Sequence, residues 1–144
     1  MKIAKALKEK NRLKGEIAAL KKKITAQNRK VKGNPQPYDV QQLLKELQEK
    51  TAQLIQMKSD ITHVNQPVQQ KIYRLAELKA LAAFYKTIPV NEGKDAVTRY
   101  SDDIFDFEVQ VKAPELDKII VDIERQIEAL QDELDVFNHA TELA

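Results

Sequence analysis

Cysteine and tryptophan are absent from this 144-residue sequence, and glycine occurs only three times. Without cysteine, the chain can form neither a disulfide nor a thiolate metal site. Three glycines leave little material for a phosphate-binding loop, and the sequences G-x-x-x-x-G-K-S/T, G-x-G-x-x-G and G-x-S-x-G do not occur. We therefore predict that the protein is not an enzyme and that it holds no cofactor and no metal.

Long apolar runs are also missing from the sequence. No stretch approaches the roughly 20 apolar residues that a membrane-spanning helix needs. Lys2 and Lys5 interrupt the first five residues, which lack the apolar stretch of a signal peptide. We expect a cytoplasmic protein without a membrane partner.

The residues that are present favour a helical domain. Hydrophobic residues make up 42% of the chain and charged residues 32%, a balance too apolar for a disordered chain. The length fits one domain, so we predict a single helical domain over residues 1–144.

Apolar residues recur at three- and four-residue steps and predict four long helices. Gly33 and Pro35 end the first helix, Asp39 is a good N-cap for the second, and Pro67 kinks or ends it. The predicted helices cover about residues 2–32, 39–64, 67–88 and 114–142.

Residues 97–111 depart from the helical period. From Phe105 to Val111, apolar and polar residues alternate, which is typical of a half-buried strand. We predict a β-hairpin in which this strand pairs with residues 97–100 across a turn at residues 101–103, and in which residues 91–95 form a loop. Because a lone two-stranded ribbon is marginal in water, it must lie on helices or join a neighbour's strand.

The last helix carries the most regular pattern. An apolar ridge follows alternating four- and three-residue steps for more than three heptads, which indicates a coiled-coil seam. We predict that this seam forms contacts between helices and between subunits. Its residues are Leu116, Ile120, Ile123, Ile127, Leu130, Leu134 and Phe137, followed by Thr141.

Charge is distributed unevenly along the chain. Residues 1–32 contain twelve bases and two acids, a net charge of +10, whereas residues 115–144 contain two bases and nine acids, a net charge of −7. Opposite charges attract, so we expect the first and last helices to lie together, within one chain or between two.

The basic first helix has an alternative interpretation as a nucleic-acid footprint. Residues 1–37 contain no aromatic side chain on which a base could stack. We therefore favour a solvated helix surface that matches the acidic last helix, and keep a nucleic-acid-associated protein as the runner-up.

His63 and His139 are the only histidines, and both lie near predicted helix ends. If the helices converged there, the two imidazoles with Asp135 or Glu142 could bind a divalent metal and support a metal-dependent hydrolase. No local spacing such as H-x-x-x-H accompanies them, so we favour surface or C-capping histidines.

Several short motifs are spread along most of the chain. They are Asn28, Lys30, Val31, Pro37, residues 43–47, Leu54, Ile55, Ile61, Asn65, residues 99–101, Asn138, Thr141, Glu142 and Leu143. Together these motifs resemble those of a family of small bacterial helical proteins of unknown function that carry the label septicolysin. The resemblance implies a helical oligomer with no established activity. Although the label suggests a cytolysin, these residues contain no membrane-inserting segment, and we carry no such activity over.

Together these patterns predict a mainly α fold, with long antiparallel, coiled-coil-like helices in a bundle and a short inserted hairpin. The function that we expect is that of a non-enzymatic structural or interaction protein. It would form a homo-oligomer through the last-helix seam and the strand edge.

Overall fold

The structure is a computed structural model that describes residues 1–100 and 102–143. The described chain is mainly helical and contains one two-stranded antiparallel sheet, which confirms the predicted fold class. The elements, in chain order, are α1 (Ile3–Gln27), α2 (Val40–Asn65), a 3-10 turn (Gln66–Val68), α3 (Gln69–Tyr85), β1 (Gly93–Ala96), β2 (Ile104–Phe107) and α4 (Ala113–Ala140).

The described residues divide into two compact units. The first contains Met1–Gln69 together with the described residues from Asp135 onward, and the second contains Gln70–Leu134. Helix α4 begins in the second unit and ends in the first.

In the first unit, α1 and α2 pack side by side in opposite directions. Glu16 of α1 binds Lys50 of α2 at 2.8 Å, and Leu13, one turn earlier in α1, lies beside Met57, further along α2. The buried apolar side chains on this face of α1 lie three to seven residues apart, as the helical period predicts. They are Ile3, Ala6, Leu13, Ile17 and Leu20.

Helix α1 ends at Gln27, five residues before the predicted end at Lys32. The side-chain amide of Gln36 donates to the carbonyl of Gln27 at 3.4 Å and so satisfies a carbonyl of the last turn. Val31, which the helical period had placed on the apolar stripe, is 71% exposed. The prediction was wrong here because the apolar period continues past the turn that Gln36 caps.

The other helix boundaries lie within three residues of the predicted ones. Asp39 is the N-cap of α2, as predicted, and its carboxylate accepts from the backbone N–H groups of Gln41 and Gln42. Pro67 lies inside the 3-10 turn, through which α2 passes into α3 without a loop. Helix α3 ends in tight turns in which Thr87 and Ile88 donate three residues back, to Phe84 and Tyr85.

The hairpin lies closer to the start of its segment than predicted. Strand β1 is Gly93–Ala96, not residues 97–100, and β2 ends at Phe107 rather than Val111. Gly93 pairs with Phe107 and Ala96 with Ile104. Ser101, in the predicted turn, lies outside the described residues.

Contacts just beyond the strand ends fix the register of the hairpin. The Glu92 carboxylate accepts from the backbone N–H of Val109 at 3.4 Å and binds Lys112 Nζ. The hydrogen bond from Lys112, and then the one from Val109, lower the pKa of Glu92. These contacts join residues 17 and 20 positions apart, so the alternation of side chains within one strand could not reveal them.

Candidate interaction surfaces

The predicted α4 seam is covered, in whole or in part, within a single chain. Leu116, Ile123 and Leu134 are buried. The remaining seam residues, Ile120, Ile127, Leu130 and Phe137, are half-buried, and so is Thr141. The seam is therefore used inside the chain, and its use between subunits stays a prediction.

Polar pairs accompany the seam where α3 packs on α4 in the second unit. Lys71 binds Glu133 and Lys86 binds Glu124, each at 2.7 Å, which shows that the two helices run in opposite directions. Arg74 donates to the side-chain oxygen of Gln126 at 3.0 Å. These pairs are exposed, so each adds little stability and mainly orients the two helices.

An open groove of about 690 Å³ lies between α3 and α4. Leu130 of the predicted seam lines it, and Tyr73, which is 66% exposed, lies at its side. Tyr73 does not belong to the periodic apolar stripe that predicted α3, although an aromatic residue next to such a stripe is a usable signal for a groove. The other lining residues are Gln70, Lys71, Arg74, Glu77, Gln126, Ala129 and Glu133.

The hairpin exposes apolar side chains on both faces. Phe105 and Phe107 lie on one face with ring centroids 6.5 Å apart, whereas Ile104 lies on the other. Phe105 is 51% exposed and Ile104 68% exposed, and all four residues of β2 are exposed. The prediction that this strand is half-buried is therefore not met within a single chain.

A cluster of cations lies at the end of the α1–α2 pair, and we call residues 21–38 the basic tip. It contains six bases and no acid. All six are exposed: Lys21, Lys22, Lys23, Arg29, Lys30 and Lys32.

The basic tip also presents apolar surface. Lys23 Nζ lies 4.8 Å from the ring centre of Tyr38, within cation–π distance. The Lys30 ammonium donates to the carbonyl of Asn34 at 2.9 Å and holds the loop that turns at Gly33, whose φ is +92°. Tyr38 and Val31 are exposed, so the tip combines positive charge with apolar surface.

The first residues of the chain contact the residues at the end of α4, whereas α1 packs mainly on α2. Lys2 and Glu142 form an antiparallel bridge, and the backbone N–H of Ile3 donates to Thr141. The Glu142 carboxylate binds the amino group of Met1 at 2.8 Å and Lys2 at 2.9 Å. These hydrogen bonds, first from the Met1 amino group and then from Lys2, lower the pKa of Glu142 to about 2.

The predicted pairing of the first and last helices along their charged surfaces is not observed in the first unit, where α1 packs on α2 and only residues at the ends of α1 and α4 meet. Whether their oppositely charged surfaces pair between chains stays a prediction.

The candidate metal ligands are not gathered into one group within the part of the chain that the structure describes. His63 and His139 are both exposed, and His139 Nδ1 lies 2.7 Å from the backbone carbonyl of Asp135. Glu142, one of the two candidate carboxylate ligands, binds Met1 and Lys2. The geometry of a single chain therefore adds no support to the metal-dependent hydrolase.

Among the described residues, no helix combines the length and the apolar character that crossing a bilayer requires. Comparison with known proteins found no matching family model, no matching curated protein and no matching solved structure, so the resemblance to the septicolysin-labelled family stays a prediction.

Proposed function

We propose that the protein is a non-enzymatic structural or interaction protein that assembles as a helical homo-oligomer. The observation that carries this proposal is the β1–β2 hairpin, whose two faces both present exposed apolar side chains. The assembly would place these side chains against a second copy of the chain.

The physical argument rests on how little stability such a hairpin has by itself. Two strands without a covered face are marginal in water, because backbone ordering is not offset by apolar burial. Fully burying one Phe or Ile side chain contributes about 1.5–3 kcal/mol. Covering Ile104, Phe105 and Phe107 between subunits would therefore stabilise both the hairpin and the assembly.

Exposed apolar residues outside the hairpin support the same proposal. Tyr73 and Phe84 of α3 and Val121 of α4 are exposed large hydrophobic side chains. Scattered exposed hydrophobics are normal, but clusters of them are typical of interaction sites. Tyr73 lies beside the groove between α3 and α4, and the hairpin presents its exposed side chains on a two-stranded ribbon, so both are candidate interaction sites.

Light scattering coupled to size-exclusion chromatography tests the proposal at two protein concentrations roughly a hundredfold apart. We expect a mass that is a multiple of 16.5 kDa at the higher concentration. Replacing Phe105 and Phe107 together by Ser should weaken association roughly tenfold or more, with the helical circular dichroism unchanged.

Val136→Ser on α4 is the matched control, because Val136 is also exposed but lies outside the hairpin. It should leave the mass unchanged. A wild-type chain that stays monomeric at both concentrations contradicts the proposal.

A further inference from the structure

Two oppositely charged surfaces of the chain carry the inference, and they belong to different compact units. The basic tip has six bases and no acid. The second surface is residues 102–108, which we call the acidic strand. It contains four acids and no base, a net charge of −4: Asp102, Asp103, Asp106 and Glu108.

We propose that the basic tip of one chain docks on the acidic strand of a second copy. This inference rests on the proposed homo-oligomer and specifies which surfaces form one of its contacts. It would bring Val31 and Tyr38 of the tip to the exposed Ile104 and Phe105 of the strand. The surrounding lysines and arginine would then face carboxylates.

Self-pairing of either surface is opposed by its own charge. If two copies of β2 paired in an antiparallel manner, the start of one acidic strand would face the end of the other, with Asp102 and Asp103 near Glu108. Like charges opposite each other destabilise a strand pair. Two basic tips would repel each other for the same reason, so each surface fits the other better than it fits itself.

The outer face of α4 is a second acidic surface, but it matches the tip less well. Two of its acids, Glu133 and Glu124, already bind Lys71 of α3 and Lys86, which directly follows α3. The acidic strand presents exposed aromatic side chains between its carboxylates, whereas the exposed apolar side chains of α4 are aliphatic. A contact that is apolar at its centre and charged around it is typical of specific protein interfaces.

This contact joins different surfaces of two identical chains, so it is heterologous. Every chain then offers one tip and one acidic strand, and repetition of the contact produces either a closed ring or an open filament. Electrostatic pairing of this kind also weakens as salt concentration rises.

Two charge-reversed variants test the proposal. The tip variant carries Arg29→Glu and Lys32→Glu, and spares Lys23 and Lys30, which contact Tyr38 and Asn34. The strand variant carries Asp102→Lys and Glu108→Lys, at exposed positions that flank β2. These substitutions lower the net charge of the tip from +6 to +2 and change that of the strand from −4 to 0. We expect each variant alone to associate roughly tenfold or more weakly than the wild type, because most of the attraction between the two surfaces is lost.

Mixing the two variants in equal amounts should produce a complex of one copy of each, which neither variant forms alone. In the mixture, the unchanged tip of the strand variant meets the unchanged strand of the tip variant, so one wild-type contact joins each pair. Lys5→Glu with Lys8→Glu makes the same charge change at exposed positions elsewhere on α1 and should retain the wild-type mass. If circular dichroism shows that a reversed variant has lost helix, the neutral variants Arg29→Gln/Lys32→Gln and Asp102→Asn/Glu108→Gln replace it, each expected to weaken association.

The outcomes separate this inference from the proposed function. A monomeric wild type overturns both. An oligomeric wild type whose mass survives both reversals overturns only the docking of tip on strand. A tip variant that dissociates and is not rescued by the strand variant assigns the tip to another acidic surface, such as α4, and also overturns the docking.

The same variants decide whether the tip binds nucleic acid instead. A gel shift with duplex and single-stranded DNA at low salt should show no retardation that depends on the tip. Retardation by the wild type that is lost in the tip variant, with an unchanged oligomer mass, would assign the tip to nucleic acid and overturn docking on the acidic strand.

Discussion

The α1–α2 pair and the β1–β2 hairpin are both antiparallel pairs, yet one chain covers their apolar surfaces to very different degrees. In α1, five apolar side chains are buried, Ile17 among them. In β2, all four residues are exposed, Phe105 included. A long amphipathic helix can bury its stripe against one other helix, whereas a ribbon has two faces and needs two covering layers. The α1–α2 pair is therefore stabilised by apolar contacts within the chain, whereas the stability of the hairpin depends on the surface that covers it.

The largest expected effect tests the helical side of this comparison. Ile17 is 7% exposed, and we expect Ile17→Ala to lower the free energy of unfolding by about 2–4 kcal/mol through lost burial and a residual cavity. Because this burial lies within one chain, the loss should be the same at every protein concentration. Chemical denaturation at two concentrations measures it.

Ile55→Ala is the matched control, since Ile55 on α2 is 64% exposed. Its effect should stay within about 0.5 kcal/mol. An equal loss from both substitutions would show that the α1–α2 pair also depends on another chain.

A smaller effect on the free energy of unfolding is expected at Asn65, a polar residue of the first unit. Its side-chain oxygen is buried and accepts no hydrogen bond from the described residues. A buried polar atom without a partner costs about 1–3 kcal/mol, so Asn65→Leu should raise the free energy of unfolding by about 1 kcal/mol.

Thermal and chemical denaturation at low concentration measure this gain. Asn11→Leu, at an exposed position of α1, is the control and should change stability by less than about 0.5 kcal/mol. A loss of stability in Asn65→Leu that appears only at high concentration would instead show that Asn65 specifies subunit contacts.

The smallest expected effect concerns the ion pairs that join Glu142 to Met1 and Lys2. The pKa of Glu142 is lowered to about 2, so the stability it contributes is present at neutral pH. That contribution is lost as the pH falls from about 4.5 towards 2, because the carboxylate is protonated first in the unfolded chain and then in the folded one. Glu142→Gln should therefore melt at a lower temperature than the wild type at pH 7, and the difference should shrink over this acidic range.

Glu49→Gln, which removes an exposed carboxylate from α2, provides the comparison. Its melting temperature should differ little from that of the wild type at pH 7. Since the Glu142 side chain is 58% exposed, added salt should also reduce the difference in melting temperature between Glu142→Gln and the wild type. A Glu142→Gln melting difference that is independent of pH would contradict an ionic origin.

Local patterns of the sequence by themselves determined most of the helical architecture. The spacing of apolar residues places α4 as one continuous helix and identifies the face that Leu116, Ile123 and Leu134 bury. Asp39 marks the start of α2, since its carboxylate is chemically suited to accept from free N–H groups. These features depend on residues within a few turns of one another, and so a short window of sequence contains their cause.

Only the tertiary structure decided which elements pair and where the irregular ones end. Residues 93–96 have little strand propensity, yet they form β1 because β2 and the contacts of Glu92 with Val109 and Lys112 hold them there. Helix α1 stops at Gln27 because a side chain from the following loop caps it. In each case the stabilising partner lies many residues away, and the free energy of a distant contact leaves no periodic mark on the sequence.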